Sequence, residues 1–111
     1  MMKWTQTQAI ELCRQIEQFA PLYGCHVALT GGTLYKVGER KDIDILFYRV
    51  RQEENIDVHS LKNALAQVGI AIERDCGFVV KANWKLCAAV DLLFPDRPRA
   101  DWPTDTPDEY A

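Results

Sequence analysis

The sequence predicts an α/β (α+β) domain, a small mixed β-sheet with helices packed on one face. Helical patterns and strand-like runs alternate along residues 1–94, and 111 residues are enough chain for one domain with a substantial core. A composition of 48% hydrophobic and 26% charged residues is typical of a folded globular protein. We therefore expect one domain over residues 1–94, followed by an acidic, proline-rich tail over residues 95–111.

Two segments have the periodicity of amphipathic helices. In the first, Thr5 and Gln8 have the spacing of a capping box, and apolar residues then recur at intervals of three and four until Pro21 interrupts the pattern. The second helix is predicted over residues 58–68, where apolar positions recur at the same intervals and Gly69 is a natural stop.

The remaining regular segments have strand character. Residues 25–30 are partly β-branched and end at a glycine pair, and residues 42–50 alternate between apolar and polar side chains. Between these runs, residues 33–37 are long enough for one or two helical turns. Three β-like runs follow the second helix, at residues 70–74, 78–83 and 86–94, with turns predicted at residues 75–77 and 83–85.

The composition changes sharply at Pro95. Four of the five prolines and five of the 16 acidic residues fall within residues 95–111. The body before this tail carries 11 basic and 11 acidic groups, so the formal net charge of −3 belongs to the tail. Such a tail either wraps the surface through Trp102 and Tyr110 or stays mobile, and the sequence favours neither.

The neutral body and the lack of long apolar segments restrict the partners. A protein that binds duplex DNA nonspecifically normally has a basic excess or a clustered basic face, and this composition has no excess. No apolar run approaches the roughly 20 residues that span a bilayer, and the N-terminus lacks the pattern of a signal peptide. We therefore expect a cytoplasmic protein that binds neither membranes nor duplex DNA nonspecifically.

Several side chains that carry chemistry in other proteins favour structural roles here. The cysteines show no CxxC spacing and lie in apolar stretches, so we interpret them as reduced core thiols in preference to a disulfide or zinc site. They are Cys13, Cys25, Cys76 and Cys87. His26 and His59 have no ligand partner at useful spacing. Lys81 and Lys85, on either side of Trp84, are predicted to belong to a solvated turn.

Three aspartates in strand-like segments indicate a metal-dependent chemistry. Asp42 and Asp44 are separated by one residue of a strand, so their carboxylates project from the same face and converge on shared cations. Asp91 lies in another apolar strand, where an unpaired carboxylate would cost several kcal/mol. Oxygen ligands of this kind suit Mg²⁺ or Mn²⁺, and two such ions activate a hydroxyl while neutralising a leaving pyrophosphate. The pattern predicts phosphoryl or nucleotidyl transfer.

A glycine pair supplies the other half of the predicted site. A turn at Gly31 and Gly32 that feeds a helix N-terminus brings backbone N–H groups close to a phosphate without side-chain obstruction. Lys36, Arg40 and Lys41 lie between this turn and the aspartates, where their charge would neutralise phosphate. The residues predicted to bind the nucleotide are Gly31, Gly32, Thr33, Lys36 and Arg40.

From Leu29 to Ile45 the chain resembles the DNA polymerase β-like nucleotidyltransferase superfamily. The superfamily pattern is a hydrophobic residue, Gly, then Gly or Ser, a spacer, and Asp-hydrophobic-Asp-hydrophobic, and the spacer here is nine residues. The glycine pair and the segment 41–45 are locally similar to tRNA CCA-adding enzymes. The order of elements in that nucleotidyltransferase fold also agrees with residues 5–94.

The resemblance implies specific roles for the matching residues. It implies that Asp42 and Asp44 bind both metal ions, that Asp91 helps to hold the ion that activates the acceptor, and that Gly31 and Gly32 contact the NTP phosphates. The expected activity is transfer of a nucleoside monophosphate from an NTP to a hydroxyl of a protein, an RNA or a small molecule.

Two other functions remain open at this point. Most active relatives add a helical domain or a partner chain that grips the base and the acceptor, and only a short tail follows the domain here. A noncatalytic nucleotidyltransferase-like module that binds a nucleotide or a protein is therefore an alternative. Such a module, or an enzyme completed by a helical protein partner, would fit a two-component system of the toxin–antitoxin kind. A metal-dependent phosphohydrolase using the same acids ranks last, because such sites usually add His or further carboxylate ligands.

Overall fold

A computed structural model describes residues 3–30, 41–50 and 55–103 of the chain. The regular elements in these ranges are helices α1 (Gln6–Glu17) and α2 (Val58–Leu65) and strands β1 (Cys25–Thr30), β2 (Asp42–Arg49), β3 (Ile70–Asp75), β4 (Val79–Trp84) and β5 (Ala88–Leu93). Short 3₁₀ helices occupy Ala20–Tyr23, Ala66–Val68 and Arg99–Asp101. Of the helices described, none has both the length and the apolar character needed to cross a membrane.

The five strands form one mixed sheet in the order β1-β2-β5-β4-β3. Strands β2 and β5 are parallel and lie in the middle, and the other three pairings are antiparallel. The connection from β2 to β5 passes through α2 and the β3–β4 pair, so residues far apart in sequence meet at the centre of the sheet. The predicted α+β class is confirmed.

Local capping accounts for where both helices begin. The Thr5 hydroxyl accepts a hydrogen bond from the Gln8 N–H at 3.1 Å, and the Gln8 side-chain oxygen accepts one from the Thr5 N–H at 3.0 Å, which completes the predicted capping box. Helix α2 is capped by Asp57, whose carboxylate accepts from the Ser60 N–H at 3.1 Å. It continues as a 3₁₀ turn to Gly69, which ends it with φ +91°.

The core lies between the helices and one face of the sheet. Alternate residues of the two central strands are fully buried there and pack against the apolar faces of α1 and α2. Each such side chain contributes about 1.5–3 kcal/mol through its burial. Members of this core include Ala9, Leu12 and Ile16 of α1, Ile43, Ile45 and Phe47 of β2, Leu61 and Leu65 of α2, and Val90 and Leu92 of β5.

The β4–β5 hairpin differs from the prediction in its register. The predicted turn over residues 83–85 is wrong, because Trp84 is still part of β4 and the turn is formed by Lys85 and Leu86. The Trp84 ring lies 5.2 Å from that of the buried Trp4, and its indole N–H donates to the Val68 carbonyl at 3.0 Å. This packing holds Trp84 in the sheet although neither turn residue is a typical turn former.

The cysteines follow the prediction in part. All four are free, and Cys25 and Cys76 are buried while Cys13 is half-buried. Burial raises the pKa of Cys13 and of Cys25 to about 12, and the nearby Glu17 carboxylate adds to both shifts. The prediction of a core position is wrong for Cys87, which is exposed because it follows the tip of the β4–β5 turn.

Candidate metal and nucleotide site

The three predicted aspartates lie on the face of the sheet opposite the core. Ile43 and Ile45 of β2 point into the core, so the alternation of the strand places Asp42 and Asp44 on the other face. Asp42 is exposed and Asp44 is half-buried. On β5, Asp91 stands between the buried Val90 and Leu92 and is half-buried on the same outer face.

The register of the parallel pair brings two of these carboxylates side by side. Asp44 lies directly opposite Asp91 in the β2–β5 pairing. Neighbouring strands are about 4.8 Å apart, so the two side chains leave the sheet as close neighbours. Asp42, the first residue of β2, lies two residues before Asp44 on the same face. The arrangement presents three carboxylates over the two central strands.

Charged and polar residues continue across the sheet in line with these aspartates. Thr30 of β1 pairs with Asp44, Lys81 of β4 pairs with Asp91, and Arg74 of β3 pairs with Lys81. We call Thr30, Asp44, Asp91, Lys81 and Arg74 the polar row. Its charge is negative over β2 and β5 and positive over β4 and β3.

Lys81 is the residue of the polar row whose position differs from the prediction. Its ammonium nitrogen lies 3.1 Å from Asp91 Oδ2, and the two side chains are 43% and 20% exposed. The prediction of a solvated turn is therefore wrong for Lys81, which belongs to the middle of β4. The signal that was present is its position between Val80 and Ala82, two apolar residues that point into the core.

The donor set fits a divalent ion in kind but not in its present placement. Carboxylates from neighbouring strands are hard oxygen ligands of the type that Mg²⁺ and Mn²⁺ prefer, and Asp42, Asp44 and Asp91 are the residues that would hold such an ion. Over the described parts of the chain, no three His, Cys, Asp or Glu side chains stand in a ligating arrangement. At Asp91 the position next to the carboxylate is taken by the Lys81 ammonium.

The predicted nucleotide-binding residues fall outside the described part of the structure. They are Gly31, Gly32, Thr33, Lys36 and Arg40. The structure describes the residues on either side of this segment. Thr30, the last residue of β1, pairs with Asp44, and the exposed Lys41 immediately precedes Asp42. The glycine pair therefore follows directly on a member of the polar row.

A second charged cluster lies away from the polar row. Asp75 at the end of β3 forms ion pairs with Lys62 of α2 and with Arg97, whose side chain is only 6% exposed. Arg97 also lines a cavity of about 320 Å³ beside the start of α2, together with His59 and Asp101. Elsewhere among the described residues, the Nδ1 atom of His26 on β1 lies 2.7 Å from the Glu17 carboxylate of α1.

Comparison with known proteins adds no assignment. No family model matches the chain, and no curated protein matches it significantly in sequence. The polar row and the residues around it are therefore the basis for a proposed function.

Proposed function

We propose that the protein is a metal-dependent nucleotidyltransferase, which transfers a nucleoside monophosphate from an NTP to a hydroxyl of a protein, an RNA or a small molecule. The observation that carries the proposal is the pairing of Asp44 with Asp91 on adjacent parallel strands, with Asp42 on the same face. Two strand-borne carboxylates side by side, with a third nearby, are suited to binding the cations that phosphoryl chemistry requires.

In the reaction the acceptor hydroxyl loses its proton to solvent, its oxygen forms a bond to the α-phosphorus of the NTP, and the bond from that phosphorus to the pyrophosphate oxygen breaks. Divalent ions, when bound, would lower the pKa of the acceptor hydroxyl and neutralise the leaving pyrophosphate. Asp42, Asp44 and Asp91 hold their positions because β2 and β5 are hydrogen-bonded to each other in the middle of the sheet. Backbone N–H groups of Gly31 and Gly32 would bind the triphosphate at the end of β1.

The proposed reaction requires a supply of its substrates and a protein partner. A supply of NTP and Mg²⁺ is expected in the cytoplasm, where we place the protein. A helical protein partner that grips the base or the acceptor would bind over the polar row, since the described residues supply carboxylates there and no base-binding groove.

The test is transfer of label from each α-³²P-labelled NTP in the presence of Mg²⁺, with cell lysate as the pool of acceptors. We expect label that is lost in the Asp42→Asn/Asp44→Asn variant. The matched control is Glu73→Gln, which alters an exposed acid on β3 of the same sheet and should leave transfer unchanged. Folded wild-type protein that transfers no label from any NTP would contradict autonomous catalysis.

One observation favours a noncatalytic module as the second candidate. The Lys81 ammonium lies 3.1 Å from Asp91 and neutralises its charge. A nucleotidyltransferase-like fold that no longer binds metal would be expected to keep such a pair. Calorimetric titration with an NTP separates the two candidates. The enzyme should bind an NTP only with Mg²⁺ and through Asp42 and Asp44, whereas a protein-binding module should show neither dependence.

A further inference from the structure

We infer that two copies of the chain associate through β1, an outer strand of the sheet with one open edge. Among the described strands, β1 pairs only with β2. An open edge presents backbone N–H and C=O groups that are able to pair with another strand. The inference is independent of the proposed function, because β1 contributes none of the three aspartates.

Two hydrogen bonds show in which direction the backbone groups of β1 point. The Gly24 carbonyl accepts from the Val50 N–H at 2.8 Å, on the side of β2. The Val27 N–H instead donates to Glu17 Oε1 of α1 at 2.9 Å, away from β2. Because these directions alternate along a strand, the N–H and C=O groups of Val27 and Leu29 lie on the open edge.

The two outer strands of the sheet differ in how well they are protected from further pairing. The register between β3 and β4 shifts between Ile72 and Arg74, and such a bulge hinders the addition of another strand. The register of β1 with β2 is unbroken over six pairs. Glu17 occupies the Val27 N–H on this edge, so association has to move one carboxylate. The edge of β1 is therefore the one that favours a further strand.

The groove beside β1 is complementary to a second copy of itself. Its volume is about 360 Å³, and it is lined by apolar side chains of α1 and β1 together with Arg14 and Glu17. In an antiparallel two-fold arrangement with Ala28 at the axis, Val27 of each copy pairs with Leu29 of the other. The small Ala28 side chains then face each other where the two strands approach most closely.

The same two-fold axis brings opposite charges together. Glu17 lies beside Val27, and the chain reverses between α1 and β1, which places the exposed Arg14 further towards Leu29 along the groove. When Val27 faces Leu29 of the second copy, Glu17 faces Arg14 of that copy, and the contact occurs twice. Glu17 thus exchanges the Val27 N–H for a guanidinium, and the freed N–H donates to the Leu29 carbonyl of the second copy.

The test is sedimentation equilibrium of the full chain over a range of protein concentrations. We expect the wild type to form a dimer that dissociates on dilution. Arg14→Glu should weaken the dimer by about tenfold, since a like-charge contact replaces an exposed ion pair at two symmetric positions. Arg14→Glu/Glu17→Arg exchanges the two charges and should recover most of this loss. Gln15→Glu adds a negative charge on another side of α1 and should dimerise as the wild type does.

Hydrogen exchange locates the interface on the molecule. The Leu29 amide of the wild type should exchange more slowly at high protein concentration, because it donates to the Val27 carbonyl of the second copy. Leu29→Pro removes this N–H from the open edge, where proline is tolerated, and should abolish the dimer. Thermal melting of each variant verifies folding, and Arg14→Glu alone serves if Leu29→Pro is unstable.

Two results would overturn the inference. A wild type that stays monomeric up to about 1 mM would exclude self-association and leave the β1 edge to a strand of another protein. A dimer that Arg14→Glu leaves unchanged, with Leu29 exchange independent of protein concentration, would mean that the copies associate elsewhere. Neither result bears on the proposed function, which label transfer tests separately.

Discussion

Asp75 accepts three hydrogen bonds at the end of β3. They come from the Lys62 ammonium, from Arg97 Nη1 at 2.8 Å and from the Gly77 N–H at 2.9 Å. Arg97 in turn donates to the carbonyl of Gly77 at 3.1 Å and to that of Asp101 at 3.0 Å. One carboxylate thereby joins α2, the β3–β4 turn and the segment after β5, and it compensates the charge of a buried guanidinium.

Replacing Asp75 by Asn should destabilise the protein strongly. The side chain keeps its shape but loses the charge that balances Arg97, so we expect the free energy of unfolding to fall by about 2–3 kcal/mol in urea melts. Asp101→Asn is the control, because Arg97 contacts the backbone of Asp101, and it should change stability by no more than about 0.5 kcal/mol. Similar losses in both variants would contradict the role given to Asp75.

The Asp75 carboxylate should make the stability of the protein depend on pH in the acid range. Burial alone would raise the pKa of Asp75, but hydrogen bonds from Arg97, Lys62 and Gly77 outweigh it and hold the pKa below its usual value. A lowered pKa in the folded state adds stability above the unfolded pKa of about 3.9, and this stability is lost as the pH falls through the folded value. Between pH 5 and pH 3 the wild type should therefore lose more stability in urea melts than Asp75→Asn. Equal losses would show that Asp75 has an ordinary pKa.

At the scale of the element, the β4–β5 turn is under backbone strain. Lys85 and Leu86 have φ angles of 52° and 57°, and the Cys87 N–H donates to the Trp84 carbonyl at 3.0 Å, which defines a tight two-residue turn of type I′. This left-handed conformation favours Asn and Gly and costs other residues about 1–2 kcal/mol each. Leu86 is also 86% exposed, so its side chain gains little from packing.

Leu86→Gly should therefore stabilise the protein. Relief of the left-handed strain exceeds the added chain entropy of glycine, which costs about 0.5–1 kcal/mol, and the net gain should be about 0.5–1 kcal/mol. Leu22→Gly is the matched control, because Leu22 is 80% exposed in a 3₁₀ helix with ordinary backbone angles, and it should lose stability instead. Thermal melts measure the stability of both variants. A loss of stability in Leu86→Gly would mean that the Leu86 side chain stabilises the turn by more than the strain it causes.

The elements differ in how far the sequence determines them. The helix boundaries were predictable where a local rule applies, as at the Thr5 capping box and at Gly69. The hairpin turn was not, because Lys85 and Leu86 carry no turn signal and their position follows from the packing of Trp84 against Trp4. Local signals such as helix caps can be identified in a single sequence, whereas the tertiary contacts that override local preferences cannot.

At the scale of the whole molecule, the order of the strands in the sheet brings the residues of the candidate site together. Alternation predicted that Asp42, Asp44 and Asp91 lie on strands and that the first two share a face. The sequence did not contain the register that sets Asp44 beside Asp91, because β2 and β5 are joined only through α2 and the β3–β4 pair. The contact between Lys81 and Asp91 was not predictable for the same reason, since it follows from the β4–β5 register.

The sheet also determines how the segment after β5 is held. Trp102 packs directly against Gly77 in the β3–β4 turn, where a methyl group added at Gly77 would lie only 2.3 Å from the indole. The Arg99 guanidinium lies 4.6 Å from the centroid of the same ring, so Trp102 contacts both Gly77 and Arg99. Tyr110, the other aromatic anchor that the sequence offered, lies outside the described residues.

Gly77→Ala should therefore release this segment. Gly69→Ala is the control that separates backbone strain from the loss of the Trp102 contact. Both glycines have φ near +90°, so alanine costs about 1–2 kcal/mol of backbone strain at either position. At Gly69 the nearest obstacle is the flexible Lys85 side chain at 2.9 Å, whereas at Gly77 the bulky indole of Trp102 has to move. We expect Gly77→Ala to lose about 2 kcal/mol more than Gly69→Ala, through the lost burial of Trp102. Trypsin should also cleave it faster after Arg99, as measured by mass spectrometry. Equal stability and equal cleavage of the two variants would mean that Trp102 does not rest on Gly77 in solution.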